Sequence, residues 1–280
     1  MLSRSPEKTD VFSLPARKTV VIYGLRIGLG ADTKGRLQML QSILPPGAKR
    51  TNPGGFDVSY AIRSARTLTA EGLSEELIGY MDGQVLVRAS DHDIVLEAIE
   101  RLIQLRVAEY APLHVFIHAG VVAWNGRAVV IPGRSYSGKS TLVAALVRAG
   151  ATYYSDEFAV VDPRGRIHPY LQPIQLRDGN GGSNRIDPAK FSNGFGAKPL
   201  ATGLILITRY REGGRWRPRP ISPGQGMLEL LANTVSAQRA PDLALRSLNP
   251  LVAGARLLKG TRGEAQSMVA QLVRSGYLQA

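Results

Sequence analysis

The sequence predicts an α/β protein in two parts, a small α+β domain over residues 1–110 and an α/β domain with a mixed β-sheet over residues 111–280. The first part combines short apolar runs with one long helical pattern and carries no chemical motif. In the second part, two apolar runs flank Asn125-Gly126, the residue pair most typical of a two-residue β-hairpin turn. The second run then passes through several glycines into a helical pattern that ends at Gly150. The hairpin makes the strand before the glycines antiparallel to its predecessor, so the sheet is not all-parallel.

Composition limits the classes of protein that fit. The chain has 280 residues, 44% of them apolar, which suits a globular protein with a real core. The absence of cysteine excludes disulfides, thiolate metal sites and cysteine nucleophiles. The net charge of +13 favours an anionic partner without choosing among a nucleotide, an acidic protein, a membrane surface and a nucleic acid. We expect a cytoplasmic protein without a transmembrane segment, because no apolar stretch has the length of a membrane span or a signal peptide.

The N-terminal part has local signals for strands and helices. The elements expected there are a strand at residues 19–23, a short helix at 37–44, strands at 56–62 and 84–89, and a long helix that is capped by Ser90 and ends before Pro112.

The register of the hairpin predicts where one histidine lies. Pairing residue 124 with residue 127 means that paired positions sum to 251, which puts His118 opposite Gly133. If no bulge intervenes, an imidazole lies beside the glycine-rich loop. A packed structural histidine is the alternative, and His114 and His168 receive no such support.

The loop itself matches a phosphate-binding motif. Gly133, Gly138, Lys139 and Ser140 satisfy G-x-x-x-x-G-K-[ST] between a strand and a helix. Glycines let successive N–H groups converge on phosphate oxygens, and the following helix adds the positive end of its dipole. Lys139 is expected to reach the β- and γ-phosphates of ATP, and the Ser140 hydroxyl to bind Mg²⁺. The alternative is a glycine-rich turn that binds nothing. The expected nucleotide-binding residues are Gly133, Arg134, Ser135, Tyr136, Ser137, Gly138, Lys139, Ser140 and Thr141.

An acidic pair follows one helix later. Residues 151–162 read as two strand pieces broken at Ser155-Asp156-Glu157. Adjacent carboxylates at a strand end face different ways, so one can coordinate Mg²⁺ while the other takes a proton from an attacking hydroxyl. A turn with solvated acids is the alternative, which the position after the loop disfavours.

The remainder of the chain offers weaker signals. Residues 178–198 predict a long surface loop, either a lid or an insertion, with basic residues that could contact a phosphate: Arg177, Arg185, Lys190 and Lys198. A strand at 203–210 precedes an arginine-rich stretch around Trp216, which we interpret as an exposed hairpin tip rather than a nucleic-acid site. The tail predicts helices at 223–235, 242–248 and 263–275, with Leu257-Leu258 between the last two.

The order of these features resembles the C-terminal catalytic domain of HPr kinase/phosphorylase and the kinases related to it. The resemblance rests on F-I-H-A-G-V, the Asn-Gly turn, G-R-S-Y-S-G-K-S-T and A-G-A-T-Y-Y-S-D-E, and it covers about residues 113–177. It is weak as far as residue 260 and absent from the N-terminal part. The resemblance implies a P-loop fold of the phosphoenolpyruvate carboxykinase type that transfers the γ-phosphoryl group of ATP to a serine hydroxyl.

The resemblance also assigns roles. It implies that His118 lies near the phosphates, that Asp156 acts as the base and that Glu157 binds Mg²⁺. Glu157 stands where the family has aspartate, and Thr141 where its loop usually continues with glutamate. The later Glu-Ile-Arg-Gly segment has only a faint counterpart in Gln175-Leu176-Arg177.

The resulting hypothesis is an ATP- and Mg²⁺-dependent kinase. Its expected catalytic residues are Asp156, Lys139 and His118, and its metal ligands are Ser140 and Glu157. The acceptor is left open among a protein, a peptide and a small hydroxyl compound, as is a homo-oligomer. Two other functions fit less well: a nucleotide-dependent regulatory module or ATPase without a phosphorylated acceptor, and a nucleic-acid binder.

Overall fold

The computed structural model describes residues 10–52, 54–69, 72–133, 137–177, 183–187 and 194–278. The chain divides into two compact units, Met1–Pro112 and Leu113–Ala280, called here the N-terminal unit and the C-terminal unit. Both combine helices with mixed sheets, so the α/β class expected from the sequence holds at this level. Every helix within the described ranges is too short or too polar to cross a lipid bilayer.

The N-terminal unit consists of one mixed β-sheet and two α-helices that pack against it. The elements are a 3₁₀ turn Val11–Ser13, β1 Ala16–Ile22, β2 Leu25–Ala31, α1 Lys34–Ser42, β3 Ala48–Arg50, β4 Val58–Thr69, β5 Gly72–Met81, β6 Gln84–Ala89 and α2 His92–Tyr110. The described strands run in the order β3-β1-β2-β4-β5-β6, with β2 and β4 parallel and the other neighbours antiparallel. Helix α2 buries Val95, Ile99, Ile103 and Val107, whose spacing of four residues places them on one face.

This unit differs from the sequence prediction in one helix cap and in its strands, since β3 and β5 were not expected. Helix α2 is capped by Asp91 rather than Ser90, because the Asp91 carboxylate accepts a hydrogen bond of 2.9 Å from the Asp93 amide. Strand β2 was not expected, since it contains Gly28 and Gly30. A Cβ on Gly28 would lie 2.5 Å from the Phe56 ring, so the glycine makes room for that ring.

The C-terminal unit contains the predicted loop. The elements are β7 Val115–Trp124, β8 Arg127–Pro132, α3 Lys139–Arg148, β9 Thr152–Ser155, β10 Phe158–Val161, β11 Ile167–His168, β12 Ile174–Arg177, β13 Ser183–Ile186, β14 Thr202–Tyr210, β15 Arg219–Pro220, α4 Pro223–Leu231, α5 Pro241–Ala253, β16 Arg256–Arg262 and α6 Ala265–Arg274. The described strands form one large sheet in the order β11-β10-β7-β8-β14-β16-β15, with β9 also paired to β7, and a separate pair β12-β13.

The Asn-Gly hairpin and its register are confirmed. Asn125 and Gly126 both have positive φ, 48° and 76°, as a type I′ turn requires. Strands β7 and β8 pair antiparallel without a bulge, and the Gly133 amide donates a hydrogen bond of 3.0 Å to the His118 carbonyl. Strand β14 is parallel to both β8 and β16, so the sheet is mixed.

The large sheet has an apolar layer on each face. On one face, α3 and α6 pack over alternate strand residues such as Val122, Ile131 and Leu206. On the other face, α4 and α5 cover residues such as Val121 and Ile205. Successive side chains of β7 therefore point alternately toward the α3–α6 layer and the α4–α5 layer.

Three expectations for the second half of the chain are wrong or only partly right. The arginine-rich stretch does not fold back on β14, since β15 pairs with β16, and Trp216 is only 4% exposed within the α3–α6 layer. The stretch around Leu257-Leu258 is strand β16 rather than a connection between helices. Residues 183–186 of the expected surface loop form β13, paired with β12, while residues 178–182 and 188–193 lie outside the described ranges.

Candidate functional site

The motif segment connects β8 to α3 with a helix N-terminus that lacks a side-chain cap. Gly138 is the N-cap residue, with a left-handed φ of 79° that favours glycine, and as a glycine it makes no side-chain cap hydrogen bond to the first turn of α3. The first-turn N–H groups of a helix have no partner within the helix, and the dipole places positive charge there. The geometry suits a bound anion. Arg134, Ser135 and Tyr136 lie outside the described residues.

Lys139 starts α3 and turns back toward the end of β8. It is only 9% exposed, and a Cβ built on Gly133 would lie 3.5 Å from its Cγ and 2.6 Å from the Ser137 Oγ. Gly133 therefore leaves room for the Ser137 hydroxyl, and the Lys139 side chain lies within ordinary van der Waals distance of the strand end. Ser140 is partly exposed and Thr141 is exposed on the same turn.

His118 and Glu157 lie beside the end of β8. His118 pairs through its backbone with Gly133 on one side and with Phe158 of β10 on the other. Its Nδ1 atom is 3.7 Å from Glu157 Oε1, and the Ala119 amide donates to the Glu157 carbonyl at 3.3 Å. Both side chains are partly exposed, 37% and 44%, so they can reach a ligand from solvent. Within the described residues, no group of three or more His, Cys, Asp or Glu side chains is placed to hold a metal ion.

Asp156 lies on the same layer as α3. It is 5% exposed, in a turn where the Phe158 amide donates to Ser155 Oγ at 3.2 Å. A Cβ built on Gly120 of β7 would lie 3.9 Å from Asp156 Oδ1 and 2.4 Å from Val143 Cγ2 of α3. The carboxylate is therefore directed over β7 toward the helix that carries Lys139. Both acids of the predicted pair thus lie in the turn between β9 and β10, two strands that pair with β7.

Gly120 of β7 has no side chain, which leaves room for Val143 and the Asp156 carboxylate above the strand. We expect Gly120→Ala to lower the free energy of unfolding by about 1–3 kcal/mol, because the added methyl overlaps Val143 in a close-packed layer. The shift of the urea unfolding midpoint measures the effect. In Gly224→Ala, the matched control in α4, the added methyl meets no atom within 4 Å, so we expect no loss of stability. Equal stability of both variants would contradict the packing described here.

The two arginines expected to contact a phosphate are placed only through their backbones. Arg177 ends β12 and Arg185 lies in β13, paired respectively with Ser183 and Gln175. Their side chains lie outside what the structure describes. Strand β12 begins at Ile174, which belongs to the apolar layer under α3.

Sequence reasoning missed one charged residue that contacts the motif. Arg262, the last residue of β16, is 2% exposed, and its Nη2 donates to the Gly138 carbonyl at 2.8 Å. A Cβ on Gly138 would lie 2.4 Å from that same nitrogen, so the glycine is also needed for this contact. Strands β8, β14 and β16 are parallel, so their C-terminal ends lie at the same edge of the sheet, which brings Arg262 to the motif. The sequence prediction did not include β16, so it could not place Arg262 there.

The remaining histidines of this unit form a separate cluster. His168 Nε2 lies 3.0 Å from Asp162 Oδ2, and the His114 ring packs edge-on against His168 at 5.2 Å. Burial lowers the pKa of His114, and the neighbouring His168 lowers it further. Burial alone would raise the pKa of Asp162, but the hydrogen bonds from His168 and from the Arg166 and Arg164 amides outweigh it, so this pKa is lowered.

These two shifts predict loss of stability in acid. A lowered folded-state pKa means that the unfolded chain binds more protons, so stability present above the unfolded pKa is lost as pH falls. For His114 the loss begins near its ordinary pKa of 6.5, and for Asp162 it begins near 3.8 and continues through the folded value. The urea midpoint is therefore expected to be lower at about pH 5 than at about pH 7.5.

The variant His114→Gln tests whether His114 causes the loss of stability between about pH 7.5 and pH 5. It removes the buried imidazole, so the midpoint should change less between these two pH values than in the wild type. His92→Gln, in the N-terminal unit, should leave the slope unchanged. A slope that persists in His114→Gln would show that another group is responsible.

Comparison with known proteins adds little to this geometry. No family model matches the sequence, and no curated protein matches it. Among solved structures, the chain is similar to the HPr(Ser) kinase/phosphatase from Coxiella burnetii, at 16% identity and a TM-score of 0.33. The match covers 59% of this chain and 97% of that one. At these values the similarity is too low to carry a conclusion about activity.

Proposed function

We propose that the C-terminal unit is an ATP- and Mg²⁺-dependent kinase that transfers the γ-phosphoryl group to a hydroxyl, with serine in a protein or peptide as the expected acceptor. In this proposal it is a P-loop kinase of the HPr kinase type. The observation that supports it is the pairing of β7 and β8. This pairing brings the phosphate-binding motif after Pro132 next to His118, and β10 places Glu157 beside His118.

Phosphate binding is assigned to residues 133–141. The uncapped first turn of α3 offers backbone N–H groups and the positive end of the helix dipole. Lys139 adds a full positive charge with little exposure to water, where an attraction to phosphate is screened least. This combination suits a polyphosphate better than a single carboxylate, because it provides several donors around one point.

The oxygens nearby fit Mg²⁺. Ser140 and Glu157 supply a hydroxyl and a carboxylate, and this ion usually takes one or two such protein ligands together with phosphate oxygens. A bound Mg²⁺ would neutralise charge on the β- and γ-phosphates.

Asp156 is assigned the role of base. Its carboxylate accepts the proton of the acceptor hydroxyl while the hydroxyl oxygen forms a bond to the γ-phosphorus. The bond between that phosphorus and the bridging oxygen of ADP breaks, and ADP leaves with the electron pair. Lys139 stabilises the charge that moves onto the phosphate oxygens. His118 lies at the same sheet edge, beside Glu157, where it can orient the acid or contact a phosphate.

Incubation with ATP labelled at the γ-phosphate tests the proposal. If the protein is a kinase, the purified protein should transfer the label from ATP to serine in a cell lysate, where mass spectrometry identifies the phosphorylated protein. Label released only as free phosphate would support an ATPase instead. No transfer and no release, with ATP still bound, would support a regulatory nucleotide-binding module and contradict the proposed reaction.

A further inference from the structure

Arg262 is a buried cation at the base of the motif. Its guanidinium donates to two backbone carbonyls, Gly138 at 2.8 Å through Nη2 and Gly263 at 2.9 Å through Nη1. Its Nε has no hydrogen-bond partner within the described ranges. The side chain is 2% exposed and lies over the Tyr210 ring, 5.3 Å from the ring centroid.

No carboxylate among the described residues forms an ion pair with this arginine. Glu264 is near enough to act on its charge, but one Glu264 oxygen accepts the Tyr210 hydroxyl at 2.9 Å. Burial lowers the pKa of Arg262 more than Glu264 raises it. The guanidinium still stays charged, because arginine is not deprotonated in proteins. The folded chain therefore holds a desolvated positive charge whose contacts are two neutral carbonyls and the face of the Tyr210 ring.

Such a charge is costly unless an anion compensates it. The guanidinium is one hydrogen bond away from Gly138, the residue from which the first turn of α3 begins. A phosphate bound to that turn would lie close to the guanidinium in a region of low dielectric, where opposite charges attract strongly. A purely structural link to Gly138 would not need the full charge of a buried arginine.

We infer that Arg262 is a second cation of the phosphate site, a positioning residue that holds Gly138 in its left-handed conformation and whose buried charge is compensated by a bound polyphosphate. This inference rests on the proposed function, since it requires that the first turn of α3, which begins after Gly138, binds phosphate. It goes further by adding a residue from a strand far along the chain and by defining the ligand as multiply charged. The tight fit at Gly138 supports it, because no side chain could stand between this backbone and the guanidinium.

Binding of inorganic tripolyphosphate and of AMP, measured by calorimetry, tests this role. In Arg262→Met we expect tripolyphosphate affinity to fall roughly ten- to a hundredfold, the usual effect of losing a charged contact. AMP, with less charge, should lose less. Arg262→Lys keeps the charge and should recover part of the tripolyphosphate affinity. Arg215→Met is the control, because Arg215 is an exposed arginine of the same region and its loss should change neither affinity.

Two results would overturn the inference while leaving the proposed function intact. One is wild-type tripolyphosphate affinity in folded Arg262→Met. If that variant does not fold, the corresponding result is an Arg262→Lys protein that binds tripolyphosphate no more tightly than AMP. The other is an equal loss for AMP and tripolyphosphate in both variants, which would indicate a structural link alone. If the wild-type protein bound neither tripolyphosphate nor ATP, the proposed function would fail together with the inference.

Discussion

Asp156→Asn is expected to bind ATP as the wild type does and to lose phosphoryl transfer by roughly 10²–10⁴-fold, the usual contribution of a general base. The amide has nearly the shape of the carboxylate, so the turn between β9 and β10 should persist, but it cannot accept the proton of the acceptor. Asp156 is buried on the α3 layer, which disfavours the alternative of a turn with solvated acids. Transfer of γ-labelled phosphate and calorimetric binding of ATP measure the two effects separately.

Asp242→Asn is the matched control, because Asp242 is an exposed acid at the start of α5. It should transfer phosphate at the wild-type rate. Normal transfer by Asp156→Asn would remove the assigned base. A variant that simply unfolds would show that the buried acid stabilises the turn, which is the structural alternative to catalysis.

Lys139→Ala is expected to lose both ATP binding and transfer. The side chain is buried against Gly133, where its charge is poorly screened by water, and removing one such group from a charge-stabilising site typically lowers the rate by about 10²–10³-fold. Circular dichroism should show an unchanged fold, which separates loss of binding from unfolding. Lys49→Ala, at an exposed position of β3, should behave as the wild type. Unchanged ATP turnover in Lys139→Ala would contradict the assignment of the motif.

The parts of this fold that the sequence predicted well have strong local signals. The Asn125-Gly126 turn demands positive φ at both residues, so it determines the hairpin, and the pleat of the strands then determines the register that places His118 opposite Gly133. The acid pair was predicted from its place between two strand pieces, and the structure has β9 and β10 on either side. The roles of these residues stay a proposal.

The parts that were missed depend on distant neighbours. Strand β16 has only Leu257-Leu258 as an adjacent apolar pair among charged residues and a glycine, and it is a strand because β14 lies parallel beside it. Arg262 was missed with it. Trp216 was expected at an exposed tip because arginines surround it in sequence, but its ring belongs to the layer with α6. Local patterns report propensity, and tertiary packing decided these positions.

A crystal structure with Mg²⁺ and a non-hydrolysable ATP analogue tests the central claim most directly. We predict that the β- and γ-phosphates bind to the first-turn N–H groups of α3 and to the Lys139 ammonium, that the metal lies between Ser140 and Glu157, and that Asp156 faces the γ-phosphate. Phosphates bound elsewhere, or an Asp156 carboxylate turned away from the γ-phosphate, would contradict it.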